Sequence, residues 1–123
     1  MIKLNVVSIR GAITVKKNTK EEILKATQKL LLEIEEKNNL KKSNVISILF
    51  SSTKDLNAEY PAKAARLLGY TQCGLMCFNE MEVVGGLEKC IRAMILYETI
   101  LDQKDVRHVY LEGARTLRPD LNK

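Results

Sequence analysis

Hydrophobic and polar residues alternate along this chain with a period that changes several times. Residues 3–9, KLNVVSI, are rich in β-branched side chains and predict a strand. Arg10 and Gly11 follow, and the glycine suggests a bulge or the close approach of another segment. From Thr19 onward the period becomes 3.6, with Ile23, Leu24, Thr27, Leu30, Leu31 and Ile34 on one helical face. Thr19 and Glu22 have the spacing of a capping box at its start, and Asn38 and Asn39 end it. VISILFSS (45–52) is almost continuously apolar, as expected of a strand covered on both faces. Pro61 suits the first turn of a helix; KAARLLG carries that helix to a stop at Gly69. QCGLMC (72–77) predicts a third strand. After Gly85 and Gly86 the pattern predicts a helix through about Glu98, with Leu87, Cys90, Ile91, Met94 and Ile95 as its core stripe. DVRHVYLEGA (105–114) predicts a fourth strand, extendable through Leu117. The order β-α-β-α-β-α-β implies an α/β (α+β) fold, a mixed β-sheet with helices packed on it.

The third predicted helix is unusual. Ala93, Leu96 and Tyr97 make its far side apolar as well, so burial on both sides is expected. Arg92 is the only charge between Cys90 and Tyr97. Either it forms an exposed pair with Glu88 one turn away, or it lies under an interface and must meet an anion there, because an unpaired buried charge is very costly. Glu80 from the preceding loop, or a carboxylate or developing oxyanion on a ligand, would serve.

Composition narrows the classes. The 123 residues suffice for a single domain, 1–123, with a real core. An apolar fraction of 46% excludes disorder, and no apolar run approaches the ~18 residues of a membrane span. The start, MIKLNVVSIRG, lacks the apolar region and cleavage site of a signal peptide, so a cytoplasmic protein is expected. The net charge of +5 raises nucleic acid as a partner. The lysines are dispersed, however, mostly on a helix that also carries Glu21, Glu22, Glu33, Glu35 and Glu36, and aromatics are few. Both features speak against a nucleic-acid footprint and leave small anionic ligands open. Cys73, Cys77 and Cys90, spaced C-x3-C-x12-C, match no common zinc pattern and are expected to pack as reduced small hydrophobes. His108 has no Ser or Cys partner in its sequence surroundings for nucleophilic catalysis. The glycine pair lacks the further residues of a nucleotide-binding turn.

Five segments together resemble one family: IRGAITV near the start, TKDLNAEYPAKAAR (53–66), CFNEMEVVGGLEKCIRAM (77–94), RHVYLEGA (107–114) and LRPDL (117–121). They are similar, in register and over nearly the whole chain, to the monofunctional chorismate mutases of the AroH class. The resemblance implies a homotrimer with a barrel-like core and active sites in clefts between subunits. It implies the Claisen rearrangement of chorismate to prephenate, on the route to phenylalanine and tyrosine, with no metal, cofactor or covalent intermediate. By that analogy Arg92 donates to the ether oxygen, Glu80 accepts from the ring hydroxyl, Cys77 helps hold that hydroxyl through its backbone or its thiol, and Arg10 and Tyr110 hold the enolpyruvyl carboxylate. Lys63, Arg66 and Arg118 line the mouth, Tyr60 and Leu117 supply apolar walls, and Met76 contributes through its backbone. Tyr60 stands where the family often has phenylalanine and Met76 where threonine is common. The chain is also one residue shorter between Arg66 and Cys77. The rival expectations are a non-catalytic binding module for an anionic aromatic-pathway metabolite, using the same cleft without needing Glu80, and a basic RNA-binding domain.

Overall fold

A computed structural model describes residues 2–120. Five strands, β1 (Asn5–Thr14), β2 (Val45–Ser52), β3 (Gly74–Asn79), β4 (Cys90–Thr99) and β5 (Val109–Leu111), form one sheet in the order β3-β2-β4-β1-β5. The central strand β4 is antiparallel to both neighbours, whereas β2–β3 and β1–β5 are parallel. The sheet is therefore mixed, as expected. Helices α1 (Lys20–Asn38) and α2 (Pro61–Leu67) cover one of its faces.

Local chemistry sets the helix ends. The Thr19 hydroxyl accepts from the Glu22 amide at 3.2 Å, the forward half of the capping box. Asn39 closes α1 in the left-handed conformation at φ 47. Pro61 occupies the first turn of α2, and Gly69, at φ 101, follows its end. On α1, Ile23, Thr27, Leu30, Leu31 and Ile34 are buried, and Thr27 satisfies its hydroxyl by donating to the Ile23 carbonyl at 2.7 Å. They meet Val7, Ile9 and Ile13 of β1, Ile48 and Phe50 of β2, and Ile91, Ala93 and Ile95 of β4. Gly11 marks a close approach: a Cβ there would lie 2.9 Å from the Val109 carbonyl oxygen and 3.0 Å from methyl carbons of Leu30 and Ile34.

The largest departure from expectation is the segment after the glycine pair. It is no helix but β4, in the middle of the sheet. Ile91, Ala93, Ile95 and Tyr97 point into the helix-covered core, while Arg92, Met94, Leu96 and Glu98 line the other face. That alternation has a period of two, but Cys90, Met94 and Leu96 add apolar residues to the second set, so it mimics a helix that is apolar nearly all round. β2 was expected to be covered on both faces; Val45, Ile48 and Phe50 are buried, whereas Ile46 is exposed and Leu49 only half-buried. β1 runs further than 3–9, through Arg10 and Gly11 to Thr14. The 105–114 region yields only the three residues of β5, flanked by 3-10 turns at Gln103–Asp105 and Glu112–Thr116.

One face of the sheet is thus uncovered. Val6 of β1, Ile46 of β2, Met76 and Phe78 of β3 and Met94 of β4 are exposed large apolar residues.

Candidate active site

Strand register gathers the chemistry on this open face. Arg92 lies opposite Ser51 on one side and Ala12 on the other. Ser51 pairs in turn with Phe78, and Ala12 with Tyr110, so one row crosses all five strands: Phe78, Ser51, Arg92, Ala12, Tyr110. The next row runs Met76, Leu49, Met94, Arg10. Directly opposed residues share a face, so Arg92, Arg10 and Tyr110 come together although they are far apart in sequence. They border a cleft of about 270 Å3, with Ser51, Phe78 and Met94 completing its walls.

Glu80 lies just past the end of β3. Its amide donates to the Ser52 carbonyl at 2.9 Å, extending the β2–β3 ladder by one residue. Its carboxylate is held from two sides. Arg92 Nε lies 3.1 Å from Oε1 in an ion pair, and the Ser51 hydroxyl donates to Oε2 at 2.5 Å. The partners expected for Arg92 were Glu88, Glu80 or an anionic group of a ligand; with no helix at 85–98 the Glu88 pairing falls away, and Glu80 is the partner within the chain. Because Arg92 spends only Nε on Glu80, its remaining N–H groups are left for an oxygen in the cleft. The Arg92 side chain is 44% exposed in the single chain, so this one chain does not enclose it.

A small apolar cluster closes the cleft beside Tyr110. Ala12, Cys90, Tyr110 and Ala114 are buried together, with Leu87 and Leu117 packed on them. Leu117 therefore stands next to Tyr110, where a wall was expected. Burial pushes the Cys90 thiol up to about 11 despite the nearby Arg92, so it is protonated at neutral pH and is no nucleophile. Arg118 pairs with Asp120 at 2.9 Å. Leu121, the last residue of the LRPDL stretch, lies outside the described residues. Among those residues no group of three or more His, Cys, Asp or Glu side chains is placed to hold a metal ion.

Four other expected residues stand apart from the cleft. Tyr60 precedes α2 and is 69% exposed. Lys63, on α2, is 3.3 Å from Glu59, and Arg66 is exposed near the end of α2. Cys77 pairs with Phe50 and packs against the helix-covered core, so its thiol faces away from Arg92. Of the two routes expected for Cys77, backbone or thiol, the backbone is the one left to contact a ligand on the open face. Met76 is on the open face at the sheet edge, exposed.

Sequence inspection missed Ser51. No motif marks it, because its role follows from lying across β2–β4 from Arg92. Ser51→Ala is expected to leave one carboxylate oxygen of Glu80 unanchored. A hydrogen bond to a charged group is worth about 1.5–3 kcal/mol, so kcat for the reaction of this site should fall roughly tenfold or more. Steady-state kinetics, with a thermal melt to confirm an intact fold, checks this.

Comparisons with known proteins follow the same outline. Residues 6–121 match the family model for chorismate mutase type I. The chain is 50% identical over 115 residues to the chorismate mutase AroH of Bacillus subtilis, covering 93% of this chain and 91% of that one. It is 43% identical over 114 residues to the chorismate mutase AroH of Thermus thermophilus, covering 92% and 93%. A solved structure of a chorismate mutase from Clostridium thermocellum superposes with a TM-score of 0.87 at 55% identity, covering 89% of this chain and 97% of that one.

Proposed function

This chain belongs to the chorismate mutase type I family and is an isomerase converting chorismate to prephenate, and we propose that the open-face cleft is where it does so. The observation that carries this assignment is the cross-strand row that sets Arg92, joined to Glu80 at 3.1 Å, beside Arg10 and Tyr110.

Chorismate carries two carboxylates, so a cleft bordered by Arg10 and Arg92 attracts it. In the rearrangement the enol-ether C–O bond breaks as the new C–C bond forms, and negative charge grows on the ether oxygen. Arg92, oriented by Glu80, donates to that oxygen; a donor fixed in advance costs no reorganisation when the charge develops. Glu80 accepts from the ring hydroxyl. Arg10 and the Tyr110 hydroxyl hold the enolpyruvyl carboxylate and so select the compact conformer in which the reacting carbons meet. This chemistry asks for no metal or cofactor.

Tyr60, Lys63 and Arg66 do not border the same chain's cleft. In this reading a neighbouring copy brings them to the mouth, near the ring carboxylate, together with Arg118 and the Met76 and Cys77 backbone. The homotrimer supplies that neighbour, and the apolar side chains of the open face supply its contact surface. Residues 1–123 act as one catalytic domain. Three free thiols suit a reducing, cytoplasmic compartment.

The test is direct. Purified protein should remove the diene absorbance of chorismate and yield prephenate. A folded, assembled protein that binds prephenate but converts no chorismate would be a metabolite sensor, and the assignment of catalysis would be wrong.

A further inference from the structure

Beside Arg10 lies a side chain to which no role has yet been given. β5 begins only at Val109, so the Arg10 amide has no strand carbonyl opposite it. The His108 ring takes that place: the Arg10 backbone N–H donates to His108 Nδ1 at 2.9 Å. An Nδ1 that accepts carries no proton, so the neutral ring holds its proton on Nε2. Nε2 in turn stands 3.3 Å from Arg10 Nη2. Both of these groups are donors, and neither can satisfy the other. Burial, then Arg10, then Arg118 hold His108 below the usual histidine value, which favours the neutral ring.

Two donors held side by side with no acceptor between them make a receptor for an anionic oxygen. We propose that His108 Nε2–H and the Arg10 guanidinium form a two-donor site for one substrate carboxylate, with the Arg10 amide fixing the histidine tautomer. The inference rests on the functional assignment above for which carboxylate is held, that of the enolpyruvyl arm. The donor pair itself rests on the two distances. His108 is then a substrate-binding residue. Tyr110, two residues along, borders the cleft that Arg10 also lines.

Asparagine separates the two jobs of the ring. In His108→Asn the side-chain oxygen still accepts from the Arg10 amide, but nothing replaces the distal N–H. We expect a melting temperature close to wild type, a KM for chorismate raised about 10-fold or more, as for one hydrogen bond to a charged group, and a smaller change in kcat. The affinity for prephenate in calorimetric titration should weaken by a similar factor. Equal prephenate affinity in the variant and the wild type would overturn the inference. If the wild type fails to convert chorismate while the variant still loses prephenate affinity, the catalytic assignment fails and the donor pair stands. His108 is the single histidine of the chain, so its ring nitrogens give unambiguous 15N signals without any substitution. The free protein should show the Nε2–H tautomer, and the Nε2 signal should shift as prephenate is added. An Nδ1–H tautomer, or a signal indifferent to prephenate, would rule the site out.

Discussion

Arg92→Lys is expected to lower kcat by about 10²-fold or more, the scale of losing one donor to a developing oxyanion. The reason lies in how the guanidinium is shared. Nε lies 3.1 Å from the Glu80 carboxylate, and in the proposed site the other N–H groups serve the substrate oxygen. An ammonium has the same charge but concentrates its donors at one atom. Drawn to the Glu80 carboxylate, it leaves the ether oxygen unserved; drawn to the oxygen, it leaves Glu80 on Ser51 alone. KM should change much less than kcat, because the oxygen gains its charge only on the way to the transition state. The side chain is partly exposed and its removal opens no core cavity, so thermal stability should stay near wild type. Steady-state kinetics beside a melting curve makes the comparison. A variant with near-normal kcat would show that Arg92 has a structural role only.

The Glu80 side of this pair is also a question of electrostatics. A carboxylate held by Ser51 and Arg92 points its remaining acceptor capacity at whatever enters the cleft. Without Arg10 and Arg92 together, a lone carboxylate there would repel a dianion. The two arginines outnumber it, and binding and polarisation can coexist in one pocket.

How far the sequence disclosed this arrangement differs from element to element. α1 was evident because Thr19, the 3.6-residue stripe and Asn39 all agree with one another. α2 was evident from Pro61 and Gly69. β4 was not, and the reason is physical. A central strand whose second face awaits a partner is apolar on both sides, and over ten residues such a pattern fits a buried helix equally well. The deciding clue was the strict alternation of Ile91, Ala93, Ile95 and Tyr97 with Arg92, Met94, Leu96 and Glu98. Arg92 stood out even under the wrong secondary structure, because a charge in an apolar segment needs a partner whatever the backbone does. Its cross-strand neighbour Ser51 and the Arg10–His108 contact were invisible. Both depend on register between segments 41 and 98 residues apart, which no local pattern encodes. The choice between backbone and thiol for Cys77 was illegible for a related reason. Its place in β3 was correct, but the parity of the strand turns its thiol toward Phe50 and the helices.

The same parity gives the second large prediction. Leu96 sits on the open face opposite Ser8 and Ser47, two residues beyond Met94 and outside the Arg92 cleft. In a lone chain it is only half-buried, so an aspartate there is tolerable as long as water reaches it. In an assembly that packs these faces together, that carboxylate must be stripped of water without a partner, a cost of several kcal/mol in each copy. The wild type is therefore expected to sediment as the proposed trimer and Leu96→Asp as a monomer. Activity should fall with assembly, by roughly 10²-fold, if Lys63 and Arg66 of a neighbouring copy orient the ring carboxylate as proposed. Leu32→Asp is the control: Leu32 is 49% exposed on the outer side of α1, and the change should alter neither mass nor rate. A Leu96→Asp protein that kept the wild-type mass and full activity would mean that copies do not meet through this face. The cleft would then have to work with the residues of one chain alone.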